Sequence, residues 1–106
     1  MKKLILALSI LFGVWSVNAQ DLVVASYNIR NDTPRDVVRG DSWSQRCPHV
    51  CRIIEVRDFD VFGMQEVKHN QLVDMCNTLP GYAYVGVGRD DGATKGEYSP
   101  VFYKKD

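Results

Sequence analysis

The stretch V-F-G-M-Q-E-V-K, from Val61 to Lys68, starts with four residues of almost no polarity and runs straight into Gln65 and Glu66. Such a run is typical of a strand that is buried on both faces. A carboxylate at the end of a buried strand is costly unless it reaches solvent or meets a cation. A second apolar stretch, L-V-V-A-S-Y-N-I at residues 22–29, carries Asn28 near its own end. Two buried strands that each bring an oxygen ligand to the same rim predict half of a site for a hard cation.

Residues 1–19 have the pattern of a signal peptide. Lys2 and Lys3 form a positive start, residues 4–17 are almost continuously apolar, and Val17-Asn18-Ala19 is an A-x-A-like cleavage site. The apolar part is short for a membrane span, and no charged stop-transfer flank follows it. We therefore expect cleavage before Gln20, no stable membrane insertion afterwards, and an exported protein, either periplasmic or secreted. An uncleaved anchor is the alternative.

The charge of the remaining chain is close to neutral. Loss of Lys2 and Lys3 lowers the 13 basic residues to 11, against 13 acidic residues, which gives a net charge of −2. No long basic run is present, so the sequence does not indicate a broad electrostatic grip on nucleic acid. A chain of this length buries a modest core, and it contains no linker or repeat. We expect one folding unit, or part of one.

The three cysteines of the chain, Cys47, Cys51 and Cys76, do not form a regular framework. An odd number of cysteines in an exported chain argues against a complete set of disulfides. Cys47 and Cys51 are spaced for one helical turn, and His49 and His69 are nearby, but C-x3-C matches no standard structural zinc spacing. The alternatives are three small apolar core residues, or one disulfide and a free thiol.

Two helices are predicted after a polar loop at residues 30–39. Ser42-x-x-Gln45 has the capping-box pattern, but Pro48 conflicts with an uninterrupted helix, so we expect a short turn and then a helix with Pro48 in its first turn, ending near residue 57. Asn70 is a good N-cap for a second helix. An apolar stripe at i, i+3, i+4 and i+7 follows in that helix, and Pro80-Gly81 ends it.

Two further strands are predicted, at residues 82–87 and 98–103, on either side of a loop rich in glycine and charge at residues 88–96. The loop lacks the glycine spacing and the following helix of a dinucleotide site. It also lacks the ligand spacing of a calcium-binding loop. We interpret it either as a solvated hairpin loop or as a loop that faces substrate, with Arg89 contacting an anion.

These motifs together resemble the amino-terminal part of the endonuclease/exonuclease/phosphatase family. The matching segments are S-Y-N-I-R at residues 26–30, S-W-S-Q-R at 42–46, D-F-D-V-F-G-M-Q-E-V at 58–67, G-R-D-D-G at 88–92 and G-E-Y-S-P-V-F-Y at 96–103. The family comprises metal-dependent phosphohydrolases, including DNase I-like nucleases, sphingomyelinases and inositol polyphosphate phosphatases. Within it, the chain is similar to the small exported bacterial members.

The resemblance implies an α/β fold, the amino-terminal half of a four-layer DNase I-like α/β sandwich in which two mainly antiparallel sheets pack face to face. It also implies a site. Glu66 matches the family's metal-ligand glutamate, and Asn28 matches the asparagine at the rim of the same site, where it binds the metal or its waters. The implied cofactor is Mg²⁺ or Mn²⁺, which suits these oxygen ligands. The residues implied to approach substrate are Arg89, Asp91, Glu97 and Tyr98.

The sequence departs from the family in length, because the family's domain runs to about 250 residues. Its later motifs, an Asp-x-Asn, a further Asp and a closing Ser-Asp-His, do not occur in this sequence. We therefore expect residues 20–106 to be a truncated amino-terminal part of the domain, which the carboxy-terminal half would complete. Two functions remain open. One is a phosphodiesterase or phosphomonoesterase, inactive at this length, acting on nucleic acid, a sugar phosphate, inositol phosphate or a phospholipid head group. The other is a non-catalytic exported binding module that uses an uncovered sheet face.

Overall fold

The computed structural model describes residues 21–106, so the predicted signal peptide lies outside the described residues. These residues form four strands and three helices. In chain order they are β1 (Val24–Asn28), α1 (Pro34–Arg39), α2 (Trp43–Arg57), β2 (Val61–Gln65), α3 (His69–Thr78), β3 (Tyr82–Val85) and β4 (Val101–Lys104). Between residues 21 and 106, no helix combines the length and the apolar character that crossing a membrane requires.

The four strands form one mixed sheet in the order β1-β2-β4-β3. β1 and β2 are parallel, with Val24 opposite Val61 and Asn28 opposite Gln65. β4 runs antiparallel to both β2 and β3. A parallel pair needs a crossover connection, and α1 and α2 supply it between β1 and β2. The parallel pair makes the carboxyl ends of β1 and β2 lie side by side.

One face of the sheet is covered by α2 and α3. Because side chains alternate along a strand, Phe62 and Met64 of β2 point to this face together with Phe102 of β4, and all three are buried. The rings of Phe62 and Phe102 stack with centroids 5.3 Å apart. Ile54 of α2 and Met75 of α3 pack into the same cluster. This apolar cluster fixes the helices over the sheet.

The other face of the sheet is open in the described part of the chain. It carries alternate residues that include Val24, Val61, Val85, Val101 and Tyr103, and most of these are exposed. The apolar run of β2 predicted burial on both faces, whereas residues 21–106 cover only one. The reason is that α2 and α3 both pack on the same side. A contiguous apolar sheet face of this kind marks a surface that another layer can cover.

The sequence-based prediction missed one helix and misplaced the start of another. Residues 34–39, expected to be part of a loop, form α1, because Thr33 accepts a hydrogen bond from the Arg35 N–H at 3.1 Å and Pro34 occupies the first turn. α2 begins at Trp43 and contains Pro48 in its interior, and Ser42 makes no side-chain capping bond. The burial of one face of α2 outweighs the helical hydrogen bond that Pro48 cannot donate.

The start of α3 and the last strand also differ from the prediction. α3 begins at His69 with Lys68 as its N-cap, so Asn70 lies inside the first turn. Ser42 forms no capping box, whereas Gln71 makes the return contact of one at the start of α3, because its Oε1 accepts from the Lys68 N–H at 3.0 Å. β4 begins only at Val101, while the preceding Tyr98 makes isolated bridges to Val67 and Gly88. These bridges hold the loop at residues 88–96 against the end of β2.

Candidate metal-binding site

Asn28 and Glu66 meet at the carboxyl ends of the two parallel strands. Asn28 is the last residue of β1, and Glu66 directly follows β2. Nδ2 of Asn28 donates a hydrogen bond to Oε2 of Glu66 at 2.5 Å. Asn28 is exposed and Glu66 is half-buried, so the pair lies at the rim of the sheet. The structure thus brings together the two side chains that the sequence assigned to one rim, while their metal-binding role stays a prediction.

The amide of Asn28 has one orientation that satisfies both of its neighbours. Oδ1 accepts a hydrogen bond from the Arg30 N–H at 2.9 Å. The ionised carboxylate of Glu66 can only accept, so it must face the Nδ2 group. Asn28 therefore holds Oε2 of Glu66, and Oε1 receives no hydrogen bond from any residue between 21 and 106. This leaves a carboxylate oxygen available to a cation.

The backbone turns sharply after both strands. Arg30 and Glu66 each have φ of 61°, in the left-handed region that residues other than glycine seldom adopt. Such a conformation costs on the order of 1–3 kcal/mol and persists where the surrounding contacts hold it. At Glu66 it ends the strand and sets the side chain beside Asn28. Strained residues at two neighbouring strand ends are typical of functional sites.

A buried carboxylate and two arginines hold the loop that follows β1. The Asp36 side chain, fully buried on α1, pairs with Nη2 of Arg30 at 2.5 Å and lies 3.7 Å from Nη2 of Arg46. Arg46 also donates to the backbone oxygens of Ile29 at 2.8 Å and Arg30 at 3.2 Å. Sequence reasoning missed Asp36 and Arg46. The signal for α1 was present, however, as Thr33 before it, Pro34 at its first position and Gly40 after it.

Of the predicted substrate-binding residues, Arg89 and Glu97 lie beside Glu66. Nη1 of Arg89 pairs with Oε2 of Glu97 at 3.1 Å, and Oε1 of Glu97 accepts from Nδ2 of Asn31 at 3.0 Å. Arg89 and Glu97 join Glu66 in lining one cleft of about 540 Å³. The pair therefore stands at the edge of the candidate site.

Asp91 and Tyr98, the other two predicted contacts, support the loop at residues 88–96. Oδ1 of Asp91 accepts from the N–H groups of Lys95 at 3.0 Å and Ala93 at 2.8 Å, and these bonds hold the pKa of its carboxyl below the usual value. Tyr98 is buried, which raises the pKa of its phenol, and its hydroxyl lies 3.2 Å from Nδ1 of His69. Neither lines the clefts beside Glu66, and their substrate role stays a prediction.

A second, polar cleft of about 470 Å³ adjoins the first and shares Arg89 and Glu97 with it. Its other lining residues are Asn31, Lys68, His69, Asn70, Thr94 and Gly96. Amide, hydroxyl and ammonium groups in this set can donate to and accept from a hydroxylated molecule. Sequence reasoning missed this cleft, because its residues come from three separate segments: the loop after β1, the start of α3 with the residue before it, and residues 89–97.

Comparison with solved structures identifies the family. An endonuclease/exonuclease/phosphatase family protein from Bacteroides thetaiotaomicron is 54% identical, with a TM-score of 0.79 over 80% of this chain. A mannosyl-6-phosphatase from the same organism is 53% identical, with a TM-score of 0.80 over 81% of the chain. A Bacteroides vulgatus endonuclease/exonuclease/phosphatase is 48% identical, with a TM-score of 0.78 over 83%. The chain belongs to the endonuclease/exonuclease/phosphatase family.

The match covers only part of each relative. The chain spans 31%, 32% and 33% of those three proteins, about a third of their length. Its sheet and helices correspond to the amino-terminal portion of the DNase I-like fold, which confirms the predicted fold class. A scan of protein-family models and a search of curated proteins gave no match. Membership in the family therefore rests on sequence identity and fold together.

The donor set fits a divalent cation in part. Members of the endonuclease/exonuclease/phosphatase family typically use such an ion, and Mg²⁺ binds through one or two carboxylates while keeping several waters. Glu66 supplies one carboxylate oxygen, and Asn28 orients it. Among residues 21–106, no three His, Cys, Asp or Glu side chains cluster closely enough to hold a metal. The described residues thus provide one side of a hard-cation site.

The cysteines do not add a second metal site within the described chain. All three are free thiols. Cys51 is buried on α2, one turn from Cys47, and burial together with Cys47 raises the pKa of its thiol to about 12. A thiol held protonated in this way is a poor metal ligand, because the thiolate is the form that binds. Cys51 is a core residue, one of the alternatives that the sequence left open.

Proposed function

We propose that the protein is a phosphoesterase that depends on Mg²⁺ or Mn²⁺ and acts outside the cytoplasm. The observation that carries this proposal is the contact between Asn28 and Glu66, which orients a carboxylate at the rim of the sheet with one oxygen left for a cation. When bound there, the ion would supply positive charge to a phosphate group. Glu66 would hold the ion, and Asn28 would fix Glu66. Arg89, which lines one cleft together with Glu66, would contact the phosphate.

We propose further that the substrate is a phosphorylated sugar. A relative that is 53% identical over most of this chain is a mannosyl-6-phosphatase. The polar cleft beside Arg89 and Glu97 presents the amide groups of Asn31 and Asn70, which suit sugar hydroxyls. The near-neutral charge of residues 20–106 disfavours long nucleic acid, whose binding needs many Lys and Arg contacts.

The test measures phosphate release by the protein as its native cell produces it, at full length. Mannose 6-phosphate is compared with an aryl phosphomonoester and an aryl phosphodiester, with Mg²⁺ and with chelator. We expect the sugar phosphate to give the largest kcat/KM and the chelator to abolish turnover. Glu66→Gln should also abolish turnover, because an amide replaces the anionic ligand. Glu55→Gln, the same change at an exposed position of α2, should not. Undiminished activity in Glu66→Gln would rule out Glu66 as a metal ligand.

The open sheet face supports a second candidate, an exported module that binds a protein partner through that face. The specific observation is the exposure of Val24 and Val85, at 68% and 59%, on one continuous surface. The intact mass of the exported protein separates the two candidates. A mass equal to residues 20–106 would favour the binding module. A much larger mass would favour the phosphoesterase, whose further layers would cover the face.

A further inference from the structure

The side chain of Gln71 joins the two loops that carry the candidate site. Gln71 lies in the first turn of α3 and is fully buried. A buried amide is costly unless each of its polar groups has a partner. Gln71 makes three hydrogen bonds, and all of them reach backbone atoms. The pattern of these bonds is more extensive than a helix cap requires.

The two bonds to Oε1 come from different loops. The Lys68 N–H donates to Oε1 at 3.0 Å, which is the capping-box contact at the start of α3. The Asp32 N–H donates to the same atom at 3.1 Å, across from the loop that follows β1. A single carbonyl oxygen therefore ties the chain just after Glu66 to the chain just after Asn28. Only the Lys68 contact belongs to helix capping.

The third bond reaches the residue that orients Asn28. Nε2 of Gln71 donates to the backbone oxygen of Arg30 at 2.9 Å, and Arg46 donates to the same oxygen. Arg30 has a left-handed φ of 61°, and its N–H donates to Oδ1 of Asn28. Contacts that hold such a backbone conformation oppose its relaxation. The contacts lead from Gln71 to the carbonyl of Arg30, along the Arg30 backbone to its N–H, and from there through Asn28 to Glu66.

We propose that Gln71 is a positioning residue: it fixes the backbone conformation of Arg30, and through it the Asn28 amide that orients the Glu66 carboxylate. Without Gln71, the left-handed turn at Arg30 relaxes and the amide of Asn28 leaves Glu66. Gln71 lines neither cleft, and all of its hydrogen bonds go to backbone atoms. Its effect on the site is therefore indirect.

The experiment compares two variants. Gln71→Met keeps the length of the side chain and removes all three bonds. Gln71→Glu, studied at a pH at which the new carboxyl is ionised, keeps the acceptor for the Lys68 and Asp32 N–H groups and cannot donate to Arg30. Tyr82→Phe is the matched control. It removes one side-chain bond to a backbone oxygen, from Tyr82 to Phe59, at a place away from both loops. All variants are made in the full-length protein, and thermal melting measures how much stability each one loses.

The deciding readout is the side-chain amide signal of Asn28 in the metal-free protein, observed by NMR with labelled asparagine and assigned with Asn28→Ser. We expect both Gln71 variants to move this signal and Tyr82→Phe to leave it in place. An unmoved signal in a folded Gln71 variant would overturn the proposal. If Gln71→Met does not fold, Gln71→Glu decides.

Enzyme kinetics give a second readout beside the NMR signal, and this readout rests on the proposed function. We expect kcat to fall roughly 10- to 100-fold in the Gln71 variants, because small misplacements of reacting groups have effects of that size. KM for the sugar phosphate should change little, and Tyr82→Phe should keep its kcat. A Gln71 variant whose kcat falls no more than that of Tyr82→Phe would count against the proposal. If the wild-type protein releases no phosphate, the proposed function fails, while the NMR readout still judges Gln71.

Discussion

Replacing Asn28 with alanine tests the geometry of the candidate site directly. Asn28→Ala removes the donor that lies 2.5 Å from Oε2 of Glu66 and the acceptor that lies 2.9 Å from the Arg30 N–H. It removes no core volume, because Asn28 is exposed at the end of β1. The fold should therefore survive, and the loss should fall on the orientation of Glu66.

The size of the loss follows from the charge on Glu66. A hydrogen bond to an ionised group contributes about 1.5–3 kcal/mol, whereas a neutral one contributes about 0.5–1.5 kcal/mol. If the bond to Glu66 matters in the transition state, the higher range corresponds to a reduction of roughly 10- to 150-fold in kcat/KM. Water can replace part of the lost contact, because Asn28 is exposed. We therefore expect the lower end, about tenfold.

The assay is phosphate release from the sugar phosphate at saturating Mg²⁺, with the full-length protein. Asn77→Ala, the same change at an exposed position of α3, is the matched control and should retain wild-type kcat/KM. Both variants should melt within a few degrees of the wild type. A loss of less than threefold for Asn28→Ala would contradict the role of Asn28, since it would mean that Glu66 holds its position without the amide.

Two further predictions concern the core. Phe62→Ala should lower the free energy of unfolding by about 3–5 kcal/mol, because Phe62 is fully buried and stacks on Phe102. Denaturant unfolding measures this free energy. A loss below about 1 kcal/mol would contradict the described packing. Iodoacetamide at pH 8 should label Cys47 and Cys76 well before Cys51, since a pKa of about 12 leaves Cys51 almost wholly protonated. Peptide mapping by mass spectrometry follows the labelling, and equal rates at all three thiols would show that Cys51 is not buried.

The strand ends could be predicted from the sequence because their signal is local. Apolar runs identify β1 and β2, and the last residues of those runs identify Asn28 and Glu66. The topology then brings the two together, since parallel neighbours end at the same edge. The prediction that Asn28 and Glu66 lie together needed only two short stretches of sequence and the rule for parallel pairing.

The contacts that support the site could not be predicted in the same way. Gln71 and Arg30 are 41 positions apart, and Arg46 and Arg30 are 16 apart. No local pattern links such residues, because their bonds form only after α2 and α3 pack on the sheet. The burial of Tyr98 is a similar case, since the sequence does not reveal that its ring is buried and that its hydroxyl donates to the Ala93 oxygen in the loop.

The helix errors have a different physical origin. Pro48 breaks an isolated helix, but in α2 it is outweighed by the burial of Val50, Cys51 and Ile54 on one face. Local propensity therefore gave the wrong start for α2. α1 was missed because six residues with several charges have little intrinsic helical preference. It is held by its caps and by the buried Asp36.

The register of β1 against β2 has a consequence for how this sequence can change length. Side chains alternate along a strand. Inserting or deleting one residue between Val24 and Asn28 would therefore turn the side-chain amide of Asn28 toward the sheet face that the helices cover. A change of two residues would restore the face but would shift the amide along the strand by roughly 7 Å. Neither shift leaves it within reach of Glu66. Apolar residues in β1 can be exchanged for one another, but an alignment of functional relatives should contain no gap there.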